Sequence, residues 1–154
     1  SDSEITLVSQ DDDSSYRVDL LEEEERGGHA IKEHIGKSDS YLKARVEREA
    51  LAIVERGDSF EGLGVGSFSS VASATKLINS TLSQNRDIVN QVATGNQPKA
   101  FISSSFNSIT GQEAYLARYN AQPFMRNTYG VAVVIVHDAN SPNGFRVQSA
   151  FPKR

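Results

Sequence analysis

Apolar residues recur at two different spacings along the chain, and the spacing changes near Pro98. Before that residue they recur every three or four positions, which is typical of amphipathic helices. Helices are therefore predicted at 16–26, 29–35, 39–56, 70–85 and 86–94. After it, short runs rich in β-branched and aromatic residues predict strands at 99–105, 113–119, 129–138 and 144–151. Helices followed by antiparallel strands predict an α+β domain with the helices packed on the sheet.

Local patterns add detail to two of these segments and to the stretch at 58–70. The run VAVVIV at 131–136 is apolar at every position, which indicates a central strand. The last strand alternates, and strict alternation places Phe145, Val147, Ser149 and Phe151 on one face. If that face covers the helices, Ser149 lies where the core meets a cleft. The segment 58–70 has three glycines but fits neither the dinucleotide-binding nor the P-loop spacing, so it is interpreted as a loop.

Composition and charge narrow the class of protein. The chain has 154 residues, which indicates one domain or two small ones. It has no cysteine, so it needs no disulfide and can fold in a reducing cytosol. Residues 1–28 carry ten acidic and two basic side chains, whereas the remaining residues carry ten acidic and fourteen basic ones. We interpret 1–26 as an acidic linker or the end of a delivery region, and 27–154 as the functional domain. Its mild positive charge is compatible with a polyanionic partner. No apolar run approaches the ~20 residues that span a bilayer, so no stable membrane association is expected.

The stretch GGHAIKEHIGK at 27–37 holds two of the three histidines. Histidine is the usual proton-transfer group because its unperturbed pKa lies near neutrality. His29 and His34 are five residues apart, so on a helix they point about 140° apart and would hold one metal ion awkwardly. The chain also lacks cysteine ligands, and we expect neither a metal nor a cofactor. Either histidine could instead be structural.

Other polar side chains widen the set of candidates. His137 follows the central strand beside Asp138, a position that usually lies at the surface. Arg45 follows His34 on the next helix, where it either serves a site or pairs with Glu49 four residues later. A metal-free set of His, Arg and hydroxyl groups suits RNA transphosphorylation. In that reaction an imidazole deprotonates the 2′-hydroxyl and a fixed cation stabilises the charged phosphorane.

Two other classes of function stay open on these residues alone. An ADP-ribosyltransferase would need an Arg…Ser-Thr-Ser…Glu-x-Glu order, of which ISSS at 102–105 is only a faint echo. A non-catalytic binding module would make the histidines structural. Incubation with RNA in EDTA separates the three classes, because only a ribonuclease of this kind leaves 2′,3′-cyclic phosphate ends.

Motifs at both ends of the body resemble one bacterial family. GGHAIKEHIGKSD at 27–39 is followed by Leu42 and Arg45 on a helix, and GFRVQSAFP at 144–152 closes the body. Together they resemble the ribonuclease A-like toxin domain at the C-terminus of CdiA-type contact-dependent growth inhibition proteins. The resemblance covers about 27–152, although residues 106–130 match poorly and are interpreted as an insertion.

The resemblance implies a curved, ribonuclease A-like antiparallel sheet without disulfides, and a metal-independent RNA endonuclease toxin that acts on tRNA. It places the catalytic residues at His34, Arg45 and Ser149. Phe151 stands where the family usually has tyrosine, so another side chain is expected to supply the missing donor. The candidates for that donor are His29, Lys37 and His137. The resemblance also implies a cognate immunity protein, export as part of a large cell-surface protein, and action in the cytoplasm of the target bacterium.

Overall fold

The computed structural model describes residues 16–154, apart from the side chains of residues 31 and 32. As the spacing predicts, its helices precede Pro98 and most of its strands follow it. The helices are α1 (Leu20–Glu25), α2 (Ala30–His34), α3 (Asp39–Glu55), α4 (Val71–Gln84) and α5 (Arg86–Ala93). The strands are β1 (Leu63–Ser67), β2 (Lys99–Ser105), β3 (Gly111–Leu116), β4 (Phe124–Thr128), β5 (Gly130–His137) and β6 (Phe145–Lys153).

The strands form two antiparallel sheets of three strands each, in the orders β1–β3–β4 and β2–β5–β6. Strand β5 lies between two neighbours, and Val131, Val133 and Ile135 are fully buried, as its unbroken apolar run predicts. The prediction of an α+β fold with antiparallel strands and no disulfide is therefore confirmed, with two sheets where one was expected.

Each sheet has its own hydrophobic cluster and its own helices. Helices α4 and α5 pack on β2 and β5, where Ile78 and Val89 are fully buried. Helix α3 packs on β1 and β3, and its buried residues Leu42, Val46 and Ala50 recur every four positions on one face. Two separately packed layers therefore meet where β1 contacts β6.

The segment 58–70, interpreted as a loop, contains strand β1, so that prediction is wrong for Leu63–Ser67. The strand brings the two sheets into close contact, because a Cβ atom at Gly66 would collide with the carbonyl oxygen of Pro152 in β6. Glycine is depleted in ordinary strands, which is why the pattern indicates a loop. Here the missing side chain allows two backbones to approach each other.

Residues 106–130, interpreted as an insertion, supply strands β3 and β4. Ala114 and Leu116 are buried in the cluster that α3 covers, so this segment is integral to the fold. The predicted strand at 113–119 is observed with its bounds shifted to Gly111–Leu116. Strand β4 does not appear among the predicted elements, because FMRNT lacks an apolar alternation.

Strand β6 contains an irregularity that reverses one prediction. Ser149 pairs with Val134 and Val147 pairs with Ile135, so Gln148 is the extra residue of a β-bulge. Val147 and Ala150 are buried, whereas Ser149 and Phe151 are only partly buried. Ser149 and Phe151 therefore lie on the face opposite Phe145 and Val147. The prediction that all four residues share one face is wrong because of the bulge.

The expected linker or delivery region at 1–26 falls largely on residues 1–15, which lie outside the described residues. Of the remainder, Val18 and Leu20 are buried in the larger core cluster. The carboxylate of Glu23, 5% exposed, accepts a hydrogen bond of 2.5 Å from the backbone N–H of Val147. The packed body therefore includes residues on the N-terminal side of the predicted boundary at 26/27.

Candidate active site

A cavity of about 270 Å³ lies at the junction of the two sheets, and it contains both a histidine and an arginine. Strand β1 forms one wall, helix α3 supplies Arg45 and Glu49, and strand β6 supplies Phe151. The site is thus built from segments that are far apart in sequence. His34 reaches it from α2, at the end of the GGHAIKEHIGK stretch.

Backbone contacts with both sheets fix this stretch in place. A Cβ atom at Gly28 would lie 2.6 Å from the carbonyl oxygen of Val147, so only glycine fits against β6 at that point. The next residue, His29, donates its backbone N–H to the carbonyl of Gln148 at 2.9 Å. On the other side, the N–H of Phe68 donates to the carbonyl of His34 at 2.7 Å. The α2 segment is therefore clamped between β6 and the end of β1, which sets the position of His34.

His34 is 8% exposed, and its imidazole has a defined tautomer. Its Nδ1 lies 3.0 Å from the carbonyl oxygen of Gly66, and a carbonyl can only accept, so Nδ1 carries the proton. Nε2 is then left with a free lone pair. Burial lowers the pKa of His34, and the charge of Arg45 lowers it further, although the Gly66 carbonyl and the charges of Glu33 and Glu49 oppose these effects. A neutral imidazole with a free Nε2 can accept a proton near neutral pH.

The guanidinium of Arg45 is held by two carboxylates. Its Nε donates to Glu49 at 2.6 Å and its Nη2 donates to Glu33 at 3.0 Å. Burial lowers the pKa of Arg45, but the bonds to both carboxylates raise it more, so the group stays charged. The pairing with Glu49 that the sequence offers as an alternative is present, yet the arginine side chain is only 17% exposed and lines the same cavity as His34.

Glu33 lies between the two functional groups. One of its oxygens, Oε1, is 3.0 Å from Nη2 of Arg45 and 3.8 Å from Nε2 of His34. Partial burial raises the pKa of Glu33, but the hydrogen bond and charge of Arg45 outweigh it, so the pKa lies below its usual value. The carboxylate is therefore ionised, and a single anionic oxygen faces both the arginine and the histidine.

Strand β6 brings Phe151 against the histidine, with 5.4 Å between the two ring centroids. Ser149 lies two residues earlier on the same face of the strand. The bulge at Gln148 is what turns this pair of residues away from the core. Phenylalanine at 151 brings an apolar ring and no hydroxyl group to this wall.

Ser149 is not among the residues that line the cavity, and neither are His29, Lys37 and His137. His29 is exposed at the start of α2, although its charge still helps to lower the pKa of Glu33. The ammonium of Lys37 lies 5.1 Å from the ring centroid of Tyr41 and borders a different cavity. Nδ1 of His137 donates to the carbonyl oxygen of Val92, 2.8 Å away. His137 lies five residues along β5 from Ala132, the partner of Phe151, and that separation is about 17 Å.

Two groups that define the site, the Glu33 carboxylate and the Gly66 carbonyl, are not indicated by the sequence. Glu33 adjoins His34 in the chain, but no pattern separates it from the many other surface acids. The Gly66 carbonyl is a backbone group in a segment whose glycines indicate a loop.

Within residues 16–154, no cluster of three or more His, Cys, Asp or Glu side chains could hold a metal ion. In the same range, no helix is long and apolar enough to cross a membrane.

Comparisons with known proteins agree with this architecture. The family model described as the bacterial CdiA-CT RNase A domain matches residues 28–152. Among solved structures, the crystal structure of a CdiA-CT/CdiI complex from Y. kristensenii is similar, with a TM-score of 0.56 and 20% identity. The match covers 82% of this chain and 100% of that chain, and at this identity it shows a shared fold alone. No curated protein matches the chain.

Proposed function

Because the chain belongs to the family of bacterial CdiA-CT RNase A domains, we propose that it is a metal-independent RNA endonuclease that cleaves by transphosphorylation. The observation that carries the proposal is the position of Glu33, whose Oε1 faces both Arg45 and His34. Two groups that contact one anionic oxygen can also contact the oxygens of one phosphate. A base and a cation around one phosphate are what this reaction requires.

In the proposed reaction, Nε2 of His34 removes the proton from the 2′-hydroxyl of the bound nucleotide. The 2′-oxygen forms a new bond to phosphorus, and the bond from phosphorus to the 5′-oxygen breaks. The 5′-oxygen takes up the proton that His34 has accepted or one from water. The products are a 2′,3′-cyclic phosphate and a 5′-hydroxyl end.

Arg45 and Ser149 bind the phosphate in this proposal. When RNA binds, non-bridging phosphate oxygens take the place of one carboxylate partner of Arg45. The guanidinium can bind two of these oxygens at once. Negative charge grows on these oxygens in the transition state, so a fixed cation stabilises the transition state more than the ground state. Ser149, on the same strand face as Phe151, donates its hydroxyl proton to a further phosphate oxygen.

The proposed biological setting follows from the family. We propose that the domain is exported as part of a large cell-surface protein, acts on tRNA in the cytoplasm of a target bacterium, and is neutralised by a cognate immunity protein. The similar structure from Y. kristensenii contains CdiA-CT together with CdiI, which supports a dedicated partner. Sequencing the RNA ends that the domain produces from total RNA would identify the cleaved RNA.

The test of the reaction uses purified protein, unmodified RNA and EDTA. We expect cleavage to continue in EDTA and to leave cyclic phosphate ends. His34→Ala should reduce the rate by ~10²–10⁴-fold, which is typical of losing a general acid or base. His137→Ala is the matched control, because both histidines bond a backbone carbonyl through Nδ1 but only His34 lines the cavity. A folded His34→Ala protein that cleaves at the wild-type rate would contradict the proposal.

A further inference from the structure

One face of the β2–β5–β6 sheet is exposed along β2. Along β2 this face carries Lys99, Phe101, Ser103 and Ser105, all of them exposed. The opposite face of the same strand carries Ala100 and Ile102, which are buried in the core cluster. The helices thus cover one side of the sheet, and the other side is open to a ligand along β2. On β5 that side is less accessible, because Ala132 is buried and Val134 is half-buried.

The exposed face contains a pair of aromatic rings that lead to the catalytic histidine. Phe101 is 60% exposed, although a phenylalanine at this position gains little by facing water. Its ring centroid lies 6.2 Å from that of Phe151, and the Phe151 centroid lies 5.4 Å from that of His34. In the sheet, Phe101 pairs with Val134 and Val134 pairs with Ser149, which lies two residues before Phe151 on β6. Phe101 therefore lies one ring beyond the wall of the cavity.

The charges on this face suit a polyanion. Lys99 stands at one end of β2 and Lys153 stands at the opposite end of the face, on β6. Arg146 lies opposite Val136 on the same face, with Asp138 as its partner at 3.9 Å. No acidic residue occupies a paired position on this face of the three strands, all of which lie in the described part of the chain. An open face with cations around aromatic rings is typical of surfaces that bind single-stranded nucleic acid.

We propose that Phe101 is a stacking platform for the nucleobase adjacent to the scissile phosphate, and that the domain therefore selects single-stranded RNA. This inference rests on the proposed function, since it takes the phosphate to lie between His34 and Arg45. A base that leaves the cavity along β6 passes Phe151 and reaches the exposed ring of Phe101. In a duplex the bases are already stacked on each other, so their faces are not available to the ring.

Binding can be measured apart from cleavage with a 2′-O-methyl RNA oligonucleotide, which lacks the attacking hydroxyl. We expect Phe101→Ala to weaken its binding about 5-fold or more, as removal of a stacking ring does elsewhere. Phe101→Tyr should bind like the wild type, whereas Phe101→Leu should behave like Phe101→Ala. Phe124→Ala is the matched control, because Phe124 is 48% exposed but lies on the other sheet. Because both rings are largely exposed, their removal leaves no large cavity and the melting temperature should change little.

A second measurement locates the base directly. The chain contains no tryptophan, so Phe101→Trp introduces a single indole whose emission a stacked base quenches. We expect quenching by the single-stranded oligonucleotide, weaker quenching by the same sequence in a duplex, and none in the Phe124→Trp control.

The outcomes separate this proposal from the one it rests on. Binding of Phe101→Ala within twofold of the wild type, with no quenching in Phe101→Trp, overturns the platform and leaves this face to a protein partner. If that result accompanies normal RNA cleavage by the wild type, the catalytic assignment stands without the platform. If the oligonucleotide quenches the indole but the wild type cleaves no RNA, the binding face stands and the catalytic assignment fails.

Discussion

Replacing Glu33 by glutamine should make the proposed enzyme bind RNA more tightly and work at lower pH. The carboxylate occupies the place between Arg45 and His34 that a phosphate oxygen would take, so it competes with substrate. Glu33→Gln keeps the shape of the side chain and removes its charge. Arg45 keeps its second partner, Glu49, and so stays oriented.

The size of the effect of removing the Glu33 charge can be estimated from the distance between Glu33 and His34. Unit charges 3.8 Å apart, as for Glu33 Oε1 and His34 Nε2, interact by about 1 kcal/mol at the dielectric constant of water and about 4 kcal/mol at that of a protein surface. The lower figure applies here, because the Glu33 side chain is 34% exposed and solvent screens its charge. The Glu33 charge favours the protonated imidazole, so the pKa of His34 should fall when that charge is removed. The same energy applied to phosphate binding corresponds to an approximately fivefold lower KM.

The direction in which the pH profile should shift follows from the groups that raise or lower the pKa of His34. Burial already lowers the pKa of His34, and Glu33 is one of the groups that raise it. The acidic limb of kcat/KM reports the base in the free enzyme, so in the wild type it should lie below the ordinary histidine value of about 6.5. Removing the Glu33 charge should move this limb to still lower pH.

The assay is the initial rate of cleavage of a short fluorogenic RNA between pH 4.5 and 8, in EDTA at constant ionic strength. Glu49→Gln is the control, since Glu49 also binds Arg45 but acts less strongly on the histidine. It should shift the limb less than Glu33→Gln does. A fall of more than tenfold in kcat for Glu33→Gln would refute the reasoning, because it would make the carboxylate a participant in the chemistry. An unchanged KM would refute the idea of competition with phosphate.

Three further substitutions test the rest of the site. Arg45→Lys keeps the charge but cannot make contacts at two points, so kcat/KM should fall at least about 10-fold while the melting temperature changes little; an unchanged rate would limit Arg45 to a surface ion pair. Ser149→Ala should lower kcat/KM about 10-fold without unfolding the protein, and a wild-type rate would remove Ser149 from the site. Gly28→Ala forces a Cβ atom to 2.6 Å from the Val147 carbonyl, so it should cost about 1–3 kcal/mol and lower the melting temperature by several degrees.

Much of the fold is readable from local patterns in the sequence. Helix α3 has a serine cap, because Ser38 accepts from the N–H of Tyr41 at 3.1 Å, and its apolar residues recur at helical spacing. Strand β5 is apolar throughout and is central. These features depend on neighbours within a few residues, so a window of sequence contains the information.

The features that were not predicted depend on distant parts of the chain. Gly64 and Gly66 make β1 resemble a loop until the contact of Gly66 with Pro152 is known. At the bulge, the carbonyl of Gln148 accepts from the N–H of His29 while the rest of β6 pairs with β5, and no residue in the strand indicates this contact. The role of Glu33 also depends on a distant residue, because its carboxylate binds Arg45, which lies twelve residues later on another helix. Resemblance to a family indicated His34 and Arg45, whereas their common carboxylate partner required the structure.

Because β6 follows all the other strands and helices in the described sequence, the pocket is still incomplete while the ribosome is making β6. A nascent chain that ends at His137 already contains His34, Arg45 and Glu33, but it lacks the strand against which Gly28 and His29 dock. It also lacks Phe151, the wall beside the imidazole. The central strand β5 would stand with one edge unpaired, because β6 is its neighbour on that side. The catalytic pocket that we propose is thus completed only after β6 has left the ribosome. Incomplete translation products should consequently be harmless to the cell that makes them.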